Sequence, residues 1–184
     1  MQFTLIYRGR LPANGDARSK QVIRRQLHPQ IKHLFTYPPL NGRVTTMLDE
    51  VQNQRPNIIE HLDGFRFAPI ITTRYDLVAS IEVLFLRPEP PGRLITQGGD
   101  IDNRLKTLFD ALRMPRVPDE IPNGDVPLEG ENPFFCLLQD DALITEINVK
   151  TDVLLEPNAL SSEAHLFIRV RTTTVETTKN NIGL

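Results

Sequence analysis

The chain has 184 residues, 40% of them hydrophobic and 24% charged, with a formal net charge of −2. This is ordinary composition for one globular domain, long enough to bury roughly 70% of its unfolded surface. It contains no apolar run near the ~20 residues of a membrane span, and its single cysteine, Cys136, excludes an intrachain disulfide and a thiolate metal cluster. The start, Met1 to Leu5, has neither the basic opening nor the apolar stretch of a secretion signal, so a reducing cytoplasm is the expected location.

Residues 2–8 alternate Phe3, Leu5 and Tyr7 with polar positions, the period of a strand with one apolar face. Gly9 to Asp16 is a loop marked by Pro12 and Asn14-Gly15. Ala17 to Phe35 carries Val22, Ile23, Leu27, Ile31 and Leu34 near helical spacing, with Pro29 expected to break or kink the helix. Thr36 to Asp63 is punctuated by Pro38-Pro39 and Asn41-Gly42, with room for a short helix over 44–51. Phe67 to Thr73 and Leu77 to Leu86 read as strands joined by a tight turn at 74–76. The second is almost continuously apolar, which predicts a central strand covered on both faces.

A Pro/Gly-rich loop over 88–99 leads into Ile101 to Arg113, the clearest helical pattern in the chain. A long excursion over 113–137 follows, with Pro115, Pro118, Pro122 and Pro127 crowded between Met114 and Asn132; loops of that length are usually functional or mobile. Cys136, set among Phe134, Phe135, Leu137 and Leu138, reads as a small apolar residue. Ala142 to Lys150 and Ala164 to Thr172 are predicted strands, and 173–184 is a polar tail expected to fray. Strands and helices mix without a βαβ rhythm, which gives a single α+β domain over 1–172 with a mixed or antiparallel sheet packed against helices.

Charge is distributed unevenly. Residues 1–48 hold Arg8, Arg10, Arg18, Lys20, Arg24, Arg25, Lys32 and Arg43 against Asp16 alone, a net of +7, and the remainder carries 13 basic against 22 acidic residues, a net of −9. Arg18, Lys20, Arg24, Arg25 and Lys32 are therefore candidates to meet a polyanion such as DNA. A solvated helix face is the plainer alternative. The same choice applies to His28 and His33, read as helix-surface or DNA-facing groups.

The stretch Gly98-Gly99-Asp100-Ile101-Asp102-Asn103-Arg104-Leu105-Lys106-Thr107-Leu108-Phe109-Asp110 gathers three carboxylates, an amide and a lysine. On a wheel of 100° per residue, Ile101, Leu105, Leu108, Phe109 and Leu112 form a core stripe, and Asp102, Lys106, Asp110 and Arg113 form a second stripe beside it. Asp100 converges with Asp102 only from outside the helix, across a junction that Gly98-Gly99 frees. Asp140-Asp141, entering a strand, supplies a distant partner; neighbours on a strand face opposite ways, so at most one joins the cluster. Such carboxylates suit magnesium, which takes a few of them and keeps several waters, and a lysine can neutralise charge growing on a phosphate. An N-cap at Asp100 with an Asp102–Lys106 i,i+4 pair accounts for the same residues one by one, leaving Asn103 and the 140–141 pair unused.

The string Asp100-x-Asp102-Asn103-x-x-Lys106-x-x-x-Asp110-Ala111-Leu112, followed by Asp140-Asp141-Ala142-Leu143-Ile144-Thr145-Glu146-Ile147-Asn148-Val149-Lys150, resembles the RusA family of Holliday junction resolvases. The resemblance covers residues 96–152 and extends loosely to Leu11-Pro12-Ala13-Asn14. It implies a RusA-like fold and a structure-selective endonuclease that cuts branched DNA as a homodimer. The implied cofactor is magnesium, with manganese as a substitute. By motif position, Asp100, Asp102 and Asp141 would bind metal and Lys106 would be the catalytic lysine. Asn103, Asp110 and Asp140 would support them. The alternative function is a non-catalytic DNA-binding accessory protein that kept the fold.

Overall fold

The computed structural model describes residues 1–50, 57–88, 101–160 and 162–184. Two sheets and three helices form one α+β domain. The larger sheet has the order β1-β7-β4-β6, from β1 (Gln2–Arg10), β4 (Leu77–Arg87), β6 (Ile144–Val153) and β7 (Glu163–Thr174). The smaller has the order β2-β3-β5, from β2 (Glu60–Leu62), β3 (Phe65–Ile71) and β5 (Phe134–Leu138). Both are mixed: β4 pairs antiparallel with β7 and parallel with β6, while β3 pairs antiparallel with β2 and parallel with β5. The turn at Thr73–Tyr75, closed by Asp76 in the left-handed region (φ 51°), carries the chain from one sheet to the other. The two strands it joins therefore do not form a hairpin.

The strand patterns translate into one wet and one dry face. In β1, Leu5 and Tyr7 are buried while Thr4, Ile6 and Arg8 are not. β4 is central in its sheet, as expected, but burial alternates along it, with Leu84 exposed. The expectation of cover on both faces fails: among the described residues, Ser80 and Glu82 are only half-buried and Leu84 is exposed. Sequence periodicity gives no sign of β5; its five buried residues straddle the end of the 113–137 segment, and the strand pairs with β3. A short apolar run carries no period to separate it from a buried loop.

Helix α1 (Ala17–His33) starts at Asp16, whose side chain accepts from the Ser19 amide at 2.8 Å. It runs through Pro29 without interruption. Side chains on either side of the proline hold it down: Arg25 binds Glu131 and Asp125, and Lys32 donates to the Gly130 carbonyl at 2.9 Å. A short α2 (Val44–Leu48) falls within the 44–51 window, and 51–56 lies outside the described residues.

The 113–133 excursion is pinned and covers core. Ile121 and Met114 pack on Phe65, Phe67, Phe134 and Cys136 on the outer side of the small sheet. Burial pushes the Cys136 thiol up to about 12, in keeping with an inert apolar role. His28 is also buried, which corrects its assignment to the surface. Its Nδ1 accepts from the Phe135 amide at 2.8 Å, so the proton sits on Nε2, 3.2 Å from the Gly130 carbonyl. Burial lowers its pKa and favours that neutral form. His33 remains at the surface against Tyr37.

The 173–184 tail does not fray as its composition suggests. Asn181 is fully buried and donates to the Tyr75 carbonyl at 3.0 Å, and Arg43 donates to the carbonyls of Asn180 and Ile182. Among the described residues no helix is long and apolar enough to cross a membrane.

Candidate functional site

Helix α3 (Ile101–Leu112) forms one wall of a cleft of about 650 Å³. The other wall is the turn at Asp141–Leu143 together with the start of β6. From α3 come Asp102, Lys106 and Asp110; from the turn comes Asp141. Leu105, Phe109, Ala142, Ile144 and Ile147 supply an apolar floor.

The helix wall is rotated from its expected setting. Thr107, Leu108, Ala111 and Leu112 are the buried residues of α3, while Leu105 and Phe109 are half-buried and line the cleft. The cause is Thr107. Its hydroxyl accepts from the Gly15 amide at 2.8 Å and donates to the Asn103 carbonyl at 3.1 Å. The 11–16 loop packs so closely there that a Cβ on Gly15 would stand 2.5 Å from the Thr107 methyl. A polar residue thus enters the core, and Leu105 and Phe109 are left half-buried at the cleft beside Asp102 and Lys106, with Phe109 still packed against the core. Asp102 accepts from the Asn103 amide at 2.7 Å in the first turn of α3, where the helix dipole favours negative charge. Lys106 is exposed and forms no ion pair among the described residues. Asn103 does not line the cleft.

Asp110 serves the fold. Its carboxylate lies 2.7 Å from Lys20 Nζ and 3.4 Å from Arg113 Nη2. Arg113, with a side chain only 5% exposed, makes two 2.7 Å bonds to Glu120. Hydrogen bonds from Arg113 outweigh burial and hold Glu120 down at about 2.

The acidic pair does not enter a strand. Asp140 caps the turn, accepting from the Ala142 amide at 2.8 Å, and β6 begins only at Ile144. Strand alternation therefore does not separate the two carboxylates. Arg116 bridges them, with Nη2 at 2.5 Å from Asp140 and in contact with Asp141. Burial opposes the charge on Asp140, but the Ala142 amide and the Arg116 guanidinium together hold its pKa below the usual carboxylate value. Sequence reasoning misses Arg116, which sits in the excursion with no spacing relation to either acid.

Among the described residues no three His, Cys, Asp or Glu side chains lie close enough to form a metal cage. Asp100 lies outside the described residues, as do Gly98 and Gly99. The donor chemistry present still fits a hard cation. Magnesium needs only one or two carboxylates beside its waters. Asp140 and Asp141 already share one cationic group, the Arg116 guanidinium.

The basic candidates of α1 divide sharply. Arg24 is 2% exposed, and its guanidinium donates to the carbonyls of Arg113 at 3.1 Å and Asp110 at 2.8 Å, capping the end of α3. Arg25, Lys32 and Lys20 are committed to the excursion and to Asp110. These four therefore all have partners within the fold, and Arg24 is in addition buried. Arg18 and Lys32 are the exposed members of the five; Lys32 donates to the Gly130 carbonyl, and the Arg18 side chain makes no hydrogen bond or ion pair among the described residues.

No protein-family model matches the chain, and no curated protein matches it in sequence.

Proposed function

We propose that this cleft hydrolyses phosphodiester bonds in branched DNA with the help of magnesium, making the protein a structure-selective endonuclease that acts as a homodimer. One observation carries the reading. Asp102 and Lys106 stand on one face of α3 and line a single cleft with Asp141, whose partner acid Asp140 already shares a cation with it.

Asp102 and Asp141 would hold the metal from opposite walls, with Asp140 supporting the second wall and Asp100 completing the set by motif position. A bound metal supplies hydroxide near neutral pH and steadies the leaving oxygen. Lys106, at the same cleft and uncommitted, places a positive charge where the scissile phosphate gains negative charge. Leu105, Phe109 and Ile147 give that phosphate a partly apolar setting in which such charges interact more strongly than in water. Two copies are needed to cut two strands symmetrically, and β6 ends its sheet with no strand paired to its outer edge among the described residues.

The test is cleavage of a labelled four-way junction and a linear duplex with and without magnesium, using Asp102→Asn as the control. Magnesium-dependent cutting of the junction that Asp102→Asn abolishes supports the reading. No cutting under any divalent cation rejects it. The Arg116 bridge favours one second reading, a DNA-binding accessory protein whose acidic pair is permanently closed. In that case Asp102→Asn changes nothing measurable.

A further inference from the structure

We infer that a second groove, between the end of β1 and the first turns of α1, is a phosphate-binding track for a DNA strand; this rests on the reading of the cleft as a nuclease site. The groove measures about 480 Å³ and is lined by Arg8, Arg10 and Arg18 over a floor that includes Pro12 and the 58% exposed Val22.

Three independent features point to a polyanion. The first is commitment of charge. Arg24, Arg25, Arg66, Arg74, Arg113 and Arg116 all direct their guanidinium groups to partners within the fold. The side chains of Arg8, Arg10 and Arg18 make no hydrogen bond or ion pair among the described residues. Asp16 and Glu163 are the nearby acids, feeling Arg18 and Arg8 respectively, with Glu163 opposite Arg10 in register; neither forms an ion pair with the three arginines among the described residues, and their two charges leave the groove net positive.

The second feature is spacing. Arg8 and Arg10 fall two residues apart on β1, so their stems leave the same face about 7 Å from each other. Cations set out along a strand meet successive charges on an extended chain better than one small anion. An apolar floor between them, with Val22 exposed, suits the sugar carbons between successive phosphates.

The third is continuity with the cleft. The 11–16 loop that closes one side of the groove is bonded to α3 through Arg104 on the Leu11 carbonyl and through Gly15 on Thr107. Lys20, two residues beyond Arg18, reaches Asp110, which lines the cleft. A strand lying on Arg8, Arg10 and Arg18 thus leads over this shared boundary toward Asp102 and Lys106.

The experiment is fluorescence anisotropy with a labelled four-way junction in magnesium-free buffer from about 50 to 200 mM salt, with Asp102→Asn as the parent protein. Arg8→Gln/Arg10→Gln/Arg18→Gln is expected to bind at least ten-fold more weakly, with a salt slope lower by up to about 2.7, given roughly 0.9 for each of three phosphates no longer neutralised. The matching triple lysine variant should keep most of the slope, and unchanged melting of both variants shows that the fold is intact. An unchanged slope in the glutamine variant overturns the track, as does a parent that binds no DNA. If the wild type cuts DNA while the slope is unchanged, the track fails and the nuclease reading stands. If the parent binds with the expected slope change while the wild type never cuts, the nuclease reading fails and the track stands.

Discussion

The two walls of the cleft balance their charge in opposite ways. On α3, Asp102 and Lys106 are exposed and, among the described residues, bound to nothing beyond the helix itself. On the turn, Asp140 and Asp141 are tied by one guanidinium from a different segment. The first wall is ready for an incoming phosphate or cation. The second must exchange an internal cation for an external one. The difference teaches that one acidic motif can hold a free half and an occupied half, and that the occupied half sets the cost of binding.

The largest effect expected is on chemistry. Asp102→Asn and Asp141→Asn should each lower junction cleavage by roughly 10³-fold, the scale of losing one charge-stabilising group. Single-turnover rates check this. Equal loss from both walls supports a shared site; loss from α3 alone would reduce the turn to a structural cap.

Next comes the scaffold behind the helix wall. Arg113→Met removes the nearly buried guanidinium that serves Glu120 and Asp110. It should destabilise the protein by about 3 kcal/mol, because the acids left behind lose their counter-charge. Urea denaturation at pH 7 measures it.

A smaller effect is acid lability. Glu120 sits at about 2 in the folded chain against an ordinary value of 4.5. The folded state binds this proton less readily than the unfolded state. The stabilisation is therefore complete above about pH 4.5 and is lost as pH falls toward 2. Discounted for solvent screening, it contributes on the order of 1 kcal/mol. Glu120→Gln should remove that slope from urea midpoints recorded between about pH 5 and pH 2.5.

The smallest effect sharpens the contrast between the walls most. Arg116→Ala frees the acidic pair of its internal cation. Exposed pairs are worth about 0.2–1 kcal/mol, so manganese should bind up to about five-fold more tightly. Calorimetry reads this without any cleavage. Unchanged or weaker manganese binding would show that Arg116 is not competing for the site.

Much of this arrangement is legible in the sequence. The α3 boundaries, the β1 alternation and the meeting of Asp102, Lys106 and Asp110 follow from helical and strand periods. The rotation of α3 is not legible, because it depends on a threonine hydroxyl serving a loop about ninety residues away in sequence. The roles of Arg24, Arg25 and Lys32 are also hidden. A wheel shows which way a cation leaves its helix, but it does not show that the excursion and the end of α3 wait there with carbonyls and carboxylates. Arg116 belongs to the same class, since only the folded excursion brings it to Asp140 and Asp141. The tail misleads because polarity is not disorder: Asn181 is polar and buried, and its amide satisfies a buried carbonyl.

The most direct test of the central claim is a double-mutant cycle on magnesium-dependent junction cleavage with Asp102→Asn, Asp141→Asn and both together. Residues that act as one unit are strongly non-additive. If the two walls form one site, the double variant cuts no more slowly than either single variant. If the losses multiply, or if either single variant cuts at the wild-type rate, the two walls do not form one catalytic site.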